Sequence, residues 1–410
     1  MKTKNNTGLL FIFAFLISGL FLTALFVKDS FSQTTVNITA ANDNTLYEDA
    51  NGLTSNGAGQ YFFTGKTATS SLRRGLIKFD LSSIPKCAVV TSVTLQLHMS
   101  KTISGNKTVE LRKLSESWGE STSAPGGEEG FGAAAEPGDA TWVHRFFDTE
   151  NWGRDGGVFS TTVSASLPVG GVGFYTWGST SQMINDVQDW LDDSTLNNGW
   201  LLLGDESATA TAKRFDTHEN ITSANRPVLT VTYNLISLNL TSFIEGFWNG
   251  TSMVSDTARV YLRNSVSPYA IVDSSKSVLN QNGLGSFCFF TAAGGNYYIV
   301  AKHRNSIETW SKFPVSFVNG VSTVYNFSTA ANKAYGDNLI LNAAKYCIYG
   351  GDVNKDDIID ASDVSDVDND ALNAVSGYVK TDLTGDDFVD SADLSIVDNN
   401  SLNSISIQRP

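Results

Sequence analysis

The stretch DVNKDDIIDASD, Asp352 to Asp363, carries oxygen donors at the first, third, fifth, ninth and twelfth positions and isoleucine at the eighth. Thirty residues later DLTGDDFVDSAD, Asp382 to Asp393, repeats the arrangement. Calcium is a hard cation that takes six to eight oxygens, and a twelve-residue loop supplies them from positions 1, 3, 5, 7, 9 and 12. The first loop offers Asp352, Asn354, Asp356, the Ile358 carbonyl, Asp360 and Asp363. The second offers Asp382, Thr384, Asp386, the Phe388 carbonyl, Asp390 and Asp393. Two calcium ions are therefore expected, the second held more loosely because Thr384 is a weaker ligand than Asp or Asn. The sixth position, usually glycine, is Asp357 and Asp387, and aspartate is among the few residues that tolerate a left-handed backbone. The eighth is Ile359 and Val389, apolar residues expected to staple the two loops together.

A second set of candidates lies in a Gly/Pro-rich region between Ser115 and Gly173. A segment of that length without regular structure is functional or carries local structure of its own. Trp118, Trp142 and Trp152 lie in it, and a flat indole either stacks on a sugar ring or pins the loop to the fold. Arg73, Arg74, Lys213 and Arg214 either meet uronate carboxylates or form structural ion pairs. Glu120, Asp139 and Asp148 are the carboxylates a hydrolase or lyase would use, and such pairs carry no local signature. The four histidines, His98, His144, His218 and His303, make no metal-binding doublet, and nucleophile-elbow and phosphate-loop motifs are absent from the sequence.

The elements that must carry these residues read mostly as strands. Val93, Leu95, Leu97 and Met99 alternate with Thr94, Gln96 and His98, the period of a half-buried strand. Ile77, Phe79 and Leu81 share one face, and Tyr297, Ile299 and Ala301 alternate with Tyr298, Val300 and Lys302. One helix interrupts the strands, with Met183, Ile184, Val187, Trp190 and Leu191 on a stripe behind a Ser/Thr cap. Each acidic loop precedes another helix, striped by Val364, Val367, Ala371, Leu372 and Val375, then by Leu394, Val397, Ser401, Leu402 and Ile405.

Charge separates the ends of the chain. The net charge is −14, and the residues from Gly351 onward hold fourteen aspartates against three basic residues. The remainder is close to neutral with no basic patch in its sequence, which argues against nucleic acid. At the N-terminus two lysines precede an apolar run from Leu9 to Val27, with Ser30 and Ser32 before Gln33. A cleaved export signal is expected, and an uncleaved membrane anchor is the alternative. Of three cysteines, Cys288 and Cys347 either pair with each other or stay isolated buried thiols.

The paired pattern D-x-N-x-D-x-x-[IV]-D-x-x-D, with Asp at position 12 and no preceding helix, resembles a type I dockerin over about the last sixty residues. That resemblance implies a small calcium-folded helical module that docks onto a cohesin-type partner. It places partner choice at Ala361 and Ser362, then at Ser391 and Ala392. The missing position-6 glycines and the scarcity of basic residues on the helices depart from cellulosomal dockerins. The stretches SSLRRGLIKFDLSSIP, DATW, DVQDWL, NNGWLLLGDE, KRFDTHEN and RPVLTVTY resemble a DNRLRE domain, a family related to alginate-type carbohydrate-binding modules. This implies a β-jelly roll.

The expected fold is mainly β: a signal peptide at 1–32, a jelly-roll sandwich at 33–235, an immunoglobulin-like sandwich at 236–349 and dockerin-like calcium repeats at 350–410. The expected function is that of a secreted, non-catalytic modular protein that binds polysaccharide and is attached through the repeats to a cohesin-type scaffold or cell surface. A structural or adhesive matrix component and a polysaccharide-degrading enzyme subunit are the alternatives.

Overall fold

The computed structural model describes residues 33–410, so the expected export signal at 1–32 lies outside the described residues. Among the described residues no helix is long and apolar enough to cross a membrane. The architecture is mainly β, with three short α-helices among the described residues.

Ten main strands build the first part: β1 Thr34–Tyr47, β2 Tyr61–Lys66, β3 Leu72–Phe79, β4 Val89–Thr102, β5 Lys107–Leu114, β6 Phe159–Val169, β7 Gly173–Gly178, β8 Trp200–Leu203, β9 Lys213–Asp216 and β10 Val228–Asn234. Every pairing among them is antiparallel. β1 changes sheets at an irregularity between Ala40 and Asn42, pairing first with β10 and then with β3. A bulge of this kind lets one strand turn the corner of a sandwich. One sheet holds β10, β4, β7, β9 and β2, and the other runs β1–β3–β8–β5–β6. This is the jelly-roll-like sandwich the sequence predicts.

Alternation in β4 sends Val93, Leu95, Leu97 and Met99 into the core, all fully buried. Helix α1, Ser181–Asp192, closes one side with Met183, Val187, Trp190 and Leu191, and the Thr180 hydroxyl accepts a hydrogen bond from the Met183 N–H. The second sheet is buried on both faces. Ile77, Phe79, Trp200 and Leu202 face the sandwich core, while Leu46, Leu76, Leu114 and Leu201 lie under the long loop. That double burial explains the unbroken apolar run WLLL in β8.

One residue, Leu235, separates β10 from β11, Ile236–Thr241, which opens a second sandwich. Its main strands are β12 Asp256–Asn264, β13 Ile271–Leu279, β14 Leu284–Phe289, β15 Gly295–Lys302 and β16 Ser322–Asn326. One sheet centres on β13–β12–β15 and the other is β14–β11–β16, with β16 parallel to β11. A disulfide joins Cys87 of the first sandwich to Cys288 of the second. This corrects the reading of Cys288, which pairs with a residue 201 positions away and not with Cys347, while Cys347 follows the isolated-thiol alternative. Cys347 is free and buried, and burial pushes its thiol up to about 12.

The acidic repeats form helices α2, Ala361–Leu372, and α3, Ser391–Leu402. They do not stand apart from the second sandwich. Val353, Ile359, Val367, Leu383, Val389 and Val397 belong to the same apolar cluster as Leu238, Val260, Phe287 and Ile299. Gly246 shows how closely the two meet: its φ is +84°, and a Cβ there would lie 2.2 Å from the Leu383 carbonyl oxygen.

Candidate functional site

Each acidic loop ends in a capping box. Asp360 and Asp390 cap α2 and α3, and the twelfth-position residues Asp363 and Asp393 reach back to the cap N–H groups. Asp363 accepts from the N–H groups of Val353, Asn354 and Asp360 at 2.9–3.1 Å. Asp393 accepts from Leu383, Thr384 and Asp390 at 2.7–2.9 Å. Both carboxylates are wholly buried. The sixth-position aspartates take the left-handed backbone expected of them, with φ of 75° at Asp357 and 67° at Asp387.

At position 8 the backbone of each loop pairs with a segment other than the facing loop. The Ile359 N–H donates to the Ile405 carbonyl at 2.7 Å, and the Val389 N–H donates to the Val375 carbonyl at 3.0 Å. Each loop therefore pairs with the segment after the other repeat's helix, while both position-8 side chains enter the core. A second correction concerns the helical stripes. Leu372 and Leu402 are each 77% exposed, because the second sandwich and the partner helix cover only the face carrying Val367 and Val397. Ala361, Ser362, Ser391 and Ala392 are exposed at the helix N-termini.

The two loops differ at position 1. Asp352 is buried, its Oδ1 has no hydrogen-bond partner, and burial raises its carboxyl to about 6. An orphaned buried carboxylate oxygen at the first ligand position is the environment a hard cation would complete. Asp382 is instead engaged. Its oxygens accept from the Gly385 N–H at 2.7 Å and from the Asp386 and Asp387 N–H groups at 3.3 Å. Arg304 of the second sandwich donates to Asp382 Oδ2 at 3.2 Å. At position 4, Gly385 has a φ of +75° and sits against the Phe247 ring, where Lys355 stands in the first loop. The carboxylates of neither loop gather to within 4.8 Å in groups of three or more.

In the jelly roll, β2, β3, β4 and β9 wall a groove of about 170 Å³ with Phe63, Arg73, Lys101, Lys213 and Arg214. Arg214 stacks over Tyr61 at 3.7 Å from the ring centre and donates to Glu128 at 2.8 Å. Lys101 donates to the same Glu128 oxygen at 2.7 Å. The Glu128 side chain is 70% exposed, and hydrogen bonding by Lys101 with the charge of Arg214 holds it below the usual carboxylate range. Lys213 lies buried beneath the groove floor. Its ammonium donates only to neutral oxygens, among them Thr102 Oγ1 at 2.9 Å and the Gly105 carbonyl at 3.0 Å. Arg73 lies 4.7 Å over the Tyr47 ring and bonds Ser71 and the Leu72 and Gly130 carbonyls, with no ion-pair partner among the described residues. Four cations thus line the groove against one exposed carboxylate.

The tryptophans resolve to the pinning alternative. Trp118, Trp142 and Trp152 are 5–9% exposed and pack on Leu46, Leu76, Leu114 and Leu201. Trp118 donates to the Asn198 carbonyl at 2.8 Å and Trp152 to the Thr141 carbonyl at 2.9 Å. Their faces are spent on the loop, so they offer no platform to a sugar. Arg74 is likewise structural, paired with Glu206 at 2.8 Å and lying over Trp142. Asp139 is buried and accepts from the Ser121 and Glu136 N–H groups, whereas Asp148 is an exposed turn residue with φ of 64°. Sequence reasoning missed Lys101 and Glu128, neither of which sits in a motif.

Residues 34–124 match carbohydrate-binding module family 96, a minority of the chain that includes the groove residues Phe63, Arg73 and Lys101. No curated protein matches the chain. Among solved structures it is similar to a C-terminal interface mutant of a type II cohesin–X–dockerin complex from Acetivibrio cellulolyticus. The identity is 15%, the match covers 41% of this chain and 98% of that one, and the TM-score is 0.26. An N-terminal interface mutant of the same type of complex gives 15% identity, 41% and 97% coverage and a TM-score of 0.23. Scores this low carry no argument about fold or partner.

Proposed function

We propose that this chain is a secreted, non-catalytic modular protein whose jelly roll binds an acidic polysaccharide and whose C-terminal repeats attach it to a cohesin-type partner when loaded with calcium. The observation that carries the reading is the groove: Lys101 and Arg214 converge there on Glu128, with Arg73 and Lys213 buried in its wall and floor. The match of residues 34–124 to a carbohydrate-binding module family supports the same choice of ligand. Glu128 shows the chemistry a uronate carboxylate would take up, a single acidic group held by Lys101 and Arg214 at 2.7–2.8 Å. Arg214, braced on Tyr61 and bonded to Ser100 at 3.0 Å, is already oriented for it.

In the tail, Asp352, Asn354, Asp356, Asp360, Asp363 and the Ile358 carbonyl would hold one calcium ion. Asp382, Thr384, Asp386, Asp390, Asp393 and the Phe388 carbonyl would hold a second. Calcium supplies the positive charge that lets clustered carboxylates share a loop. The chain's own part is to set the left-handed turns at Asp357 and Asp387 and to cap α2 and α3. Ala361, Ser362, Ser391 and Ala392 are the exposed positions at which a docking partner would be read.

Affinity electrophoresis of the full chain through gels containing a polyuronate, a sulfated glycan or a neutral glycan tests the reading. Retardation by the polyuronate that weakens as salt rises is expected. Free migration through all three gels would overturn it.

A further inference from the structure

Three carboxylates and a histidine from distant stretches of the jelly roll meet in one place. They are Asp43 in β1, Glu120 in the long loop, and His218 and Glu219 just after β9. One potential ligand atom from each lies within 4.8 Å of all the others, and among the described residues this is the only such group of three or more. Its internal contacts are close. His218 donates its backbone N–H to Asp43 Oδ2 at 2.9 Å, and its Nδ1 lies 3.0 Å from the same oxygen. Its Nε2 lies 2.7 Å from Glu219 Oε1. Glu120 accepts from the Asp43 N–H at 2.8 Å and from Asn42 Nδ2 at 2.6 Å.

Those bonds leave two oxygens over. Among the described residues Asp43 Oδ1 and Glu219 Oε2 have no hydrogen-bond partner though both are buried, and Asp43 itself is 0% exposed. Among the described residues no lysine or arginine pairs with any of the four. Buried carboxylates are normally paired or bound to a metal, and an unsatisfied buried oxygen is costly. Burial pushes Asp43 to about 6, and burial with the neighbouring Asp43 charge pushes Glu120 to about 8. Burial disfavours the charged ring of His218, yet hydrogen bonds to Asp43 and Glu219 lift it to about 10.

We propose that Asp43, Glu120, His218 and Glu219 form a binding site for one divalent cation of the zinc type, distinct from the calcium loops of the tail. An imidazole nitrogen beside carboxylate oxygens suits a borderline cation better than calcium, which prefers oxygen alone. Four donors match the coordination number of a closed structural zinc site. Binding would use the two orphaned oxygens. It would also clamp the long loop, through Glu120, to β1 and to the β9–β10 connection.

The test uses the full chain, stripped of metal and returned to excess calcium so that the tail loops are filled. Calorimetric titration with zinc chloride should show one saturable equivalent. Zinc-edge X-ray absorption should show one imidazole nitrogen with oxygens at about 2.0 Å. Asp43→Asn and Glu219→Gln should each weaken zinc about tenfold or more, while Asp352→Asn with Asp382→Asn leaves it unchanged. Glu219 is partly exposed, so its variant reports on the site even where Asp43→Asn fails to fold. No saturable zinc equivalent, binding undiminished by Glu219→Gln, or calcium in the cluster that zinc cannot displace would each overturn the proposal.

Discussion

Among the described residues, the buried charges that make no ion pair are cationic in the jelly-roll groove and carboxylates in the tail. Arg73 and Lys213 lie buried and donate to neutral oxygens, with Arg73 over the Tyr47 ring. Asp352, Asp363 and Asp393 are at most 1% exposed, satisfied by backbone N–H groups or, at Asp352 Oδ1, by nothing. Because buried charge is costly unless complemented, the sign left over at each end points to the ligand that end would hold. The ends also differ in how they are held. The groove is built on the strands of a two-sheet sandwich, whereas the acidic loops share a core with the second sandwich.

Calcium withdrawal should divide the two ends most sharply. Calcium at about a thousand times its dissociation constant would stabilise by about 4 kcal/mol per site. Loss of calcium should therefore lower the unfolding temperature of the tail together with the second sandwich, while the jelly-roll transition stays in place. Scanning calorimetry of the metal-stripped chain at saturating zinc, with and without added calcium, reads both, and equal shifts of the two transitions would break the comparison. Next in size, Lys101→Met combined with Arg214→Gln should weaken polyuronate binding about tenfold or more, since charge-assisted bonds are the strong ones. Calcium affinity, measured by titration on the same variant, should not move.

Arg304→Gln sharpens the difference between the loops themselves. It removes a cation from Asp382, so calcium affinity of the second loop should rise several-fold while the first is unchanged. Competition against a calcium indicator resolves the two classes, and a fall at the second loop would mean that Arg304 organises the site. The smallest effect is with pH. Burial opposes ionisation of Asp256, but hydrogen bonds from His303, Arg304 and Tyr378 win and hold it below the ordinary carboxylate range. A depressed folded value means stability present above the unfolded value of about 3.9 and lost as pH falls through the folded one. Acid should therefore loosen the joint between the second sandwich and the tail, and Asp256→Asn should flatten that part of the pH profile of unfolding.

What the sequence made legible was local. The spacing of Asp352 to Asp363, its echo thirty residues on, and the alternation of β4 each lie within one short window, and periodicity is a short-window signal. What it hid depends on distant partners. Cys87 and Cys288 are 201 residues apart, and Asp43 and His218 are 175 apart. The tryptophans could not be assigned because whether a loop folds back on a sheet depends on the sheet's outer face, here Leu46, Leu76, Leu114 and Leu201. Leu372 and Leu402 fit an apolar stripe, but a helix contacting neighbours on one side leaves the stripe's edge in water.

Glu128 offers the most direct test of the groove. It is exposed, it occupies Lys101 and Arg214, and its charge has the sign of the proposed ligand. Calorimetric titration of a polyuronate into the wild-type chain and into Glu128→Gln measures whether removing that internal carboxylate frees the two cations. The account expects several-fold tighter binding by the variant, with no change toward a neutral glycan. Equal or weaker polyuronate binding by Glu128→Gln would contradict it.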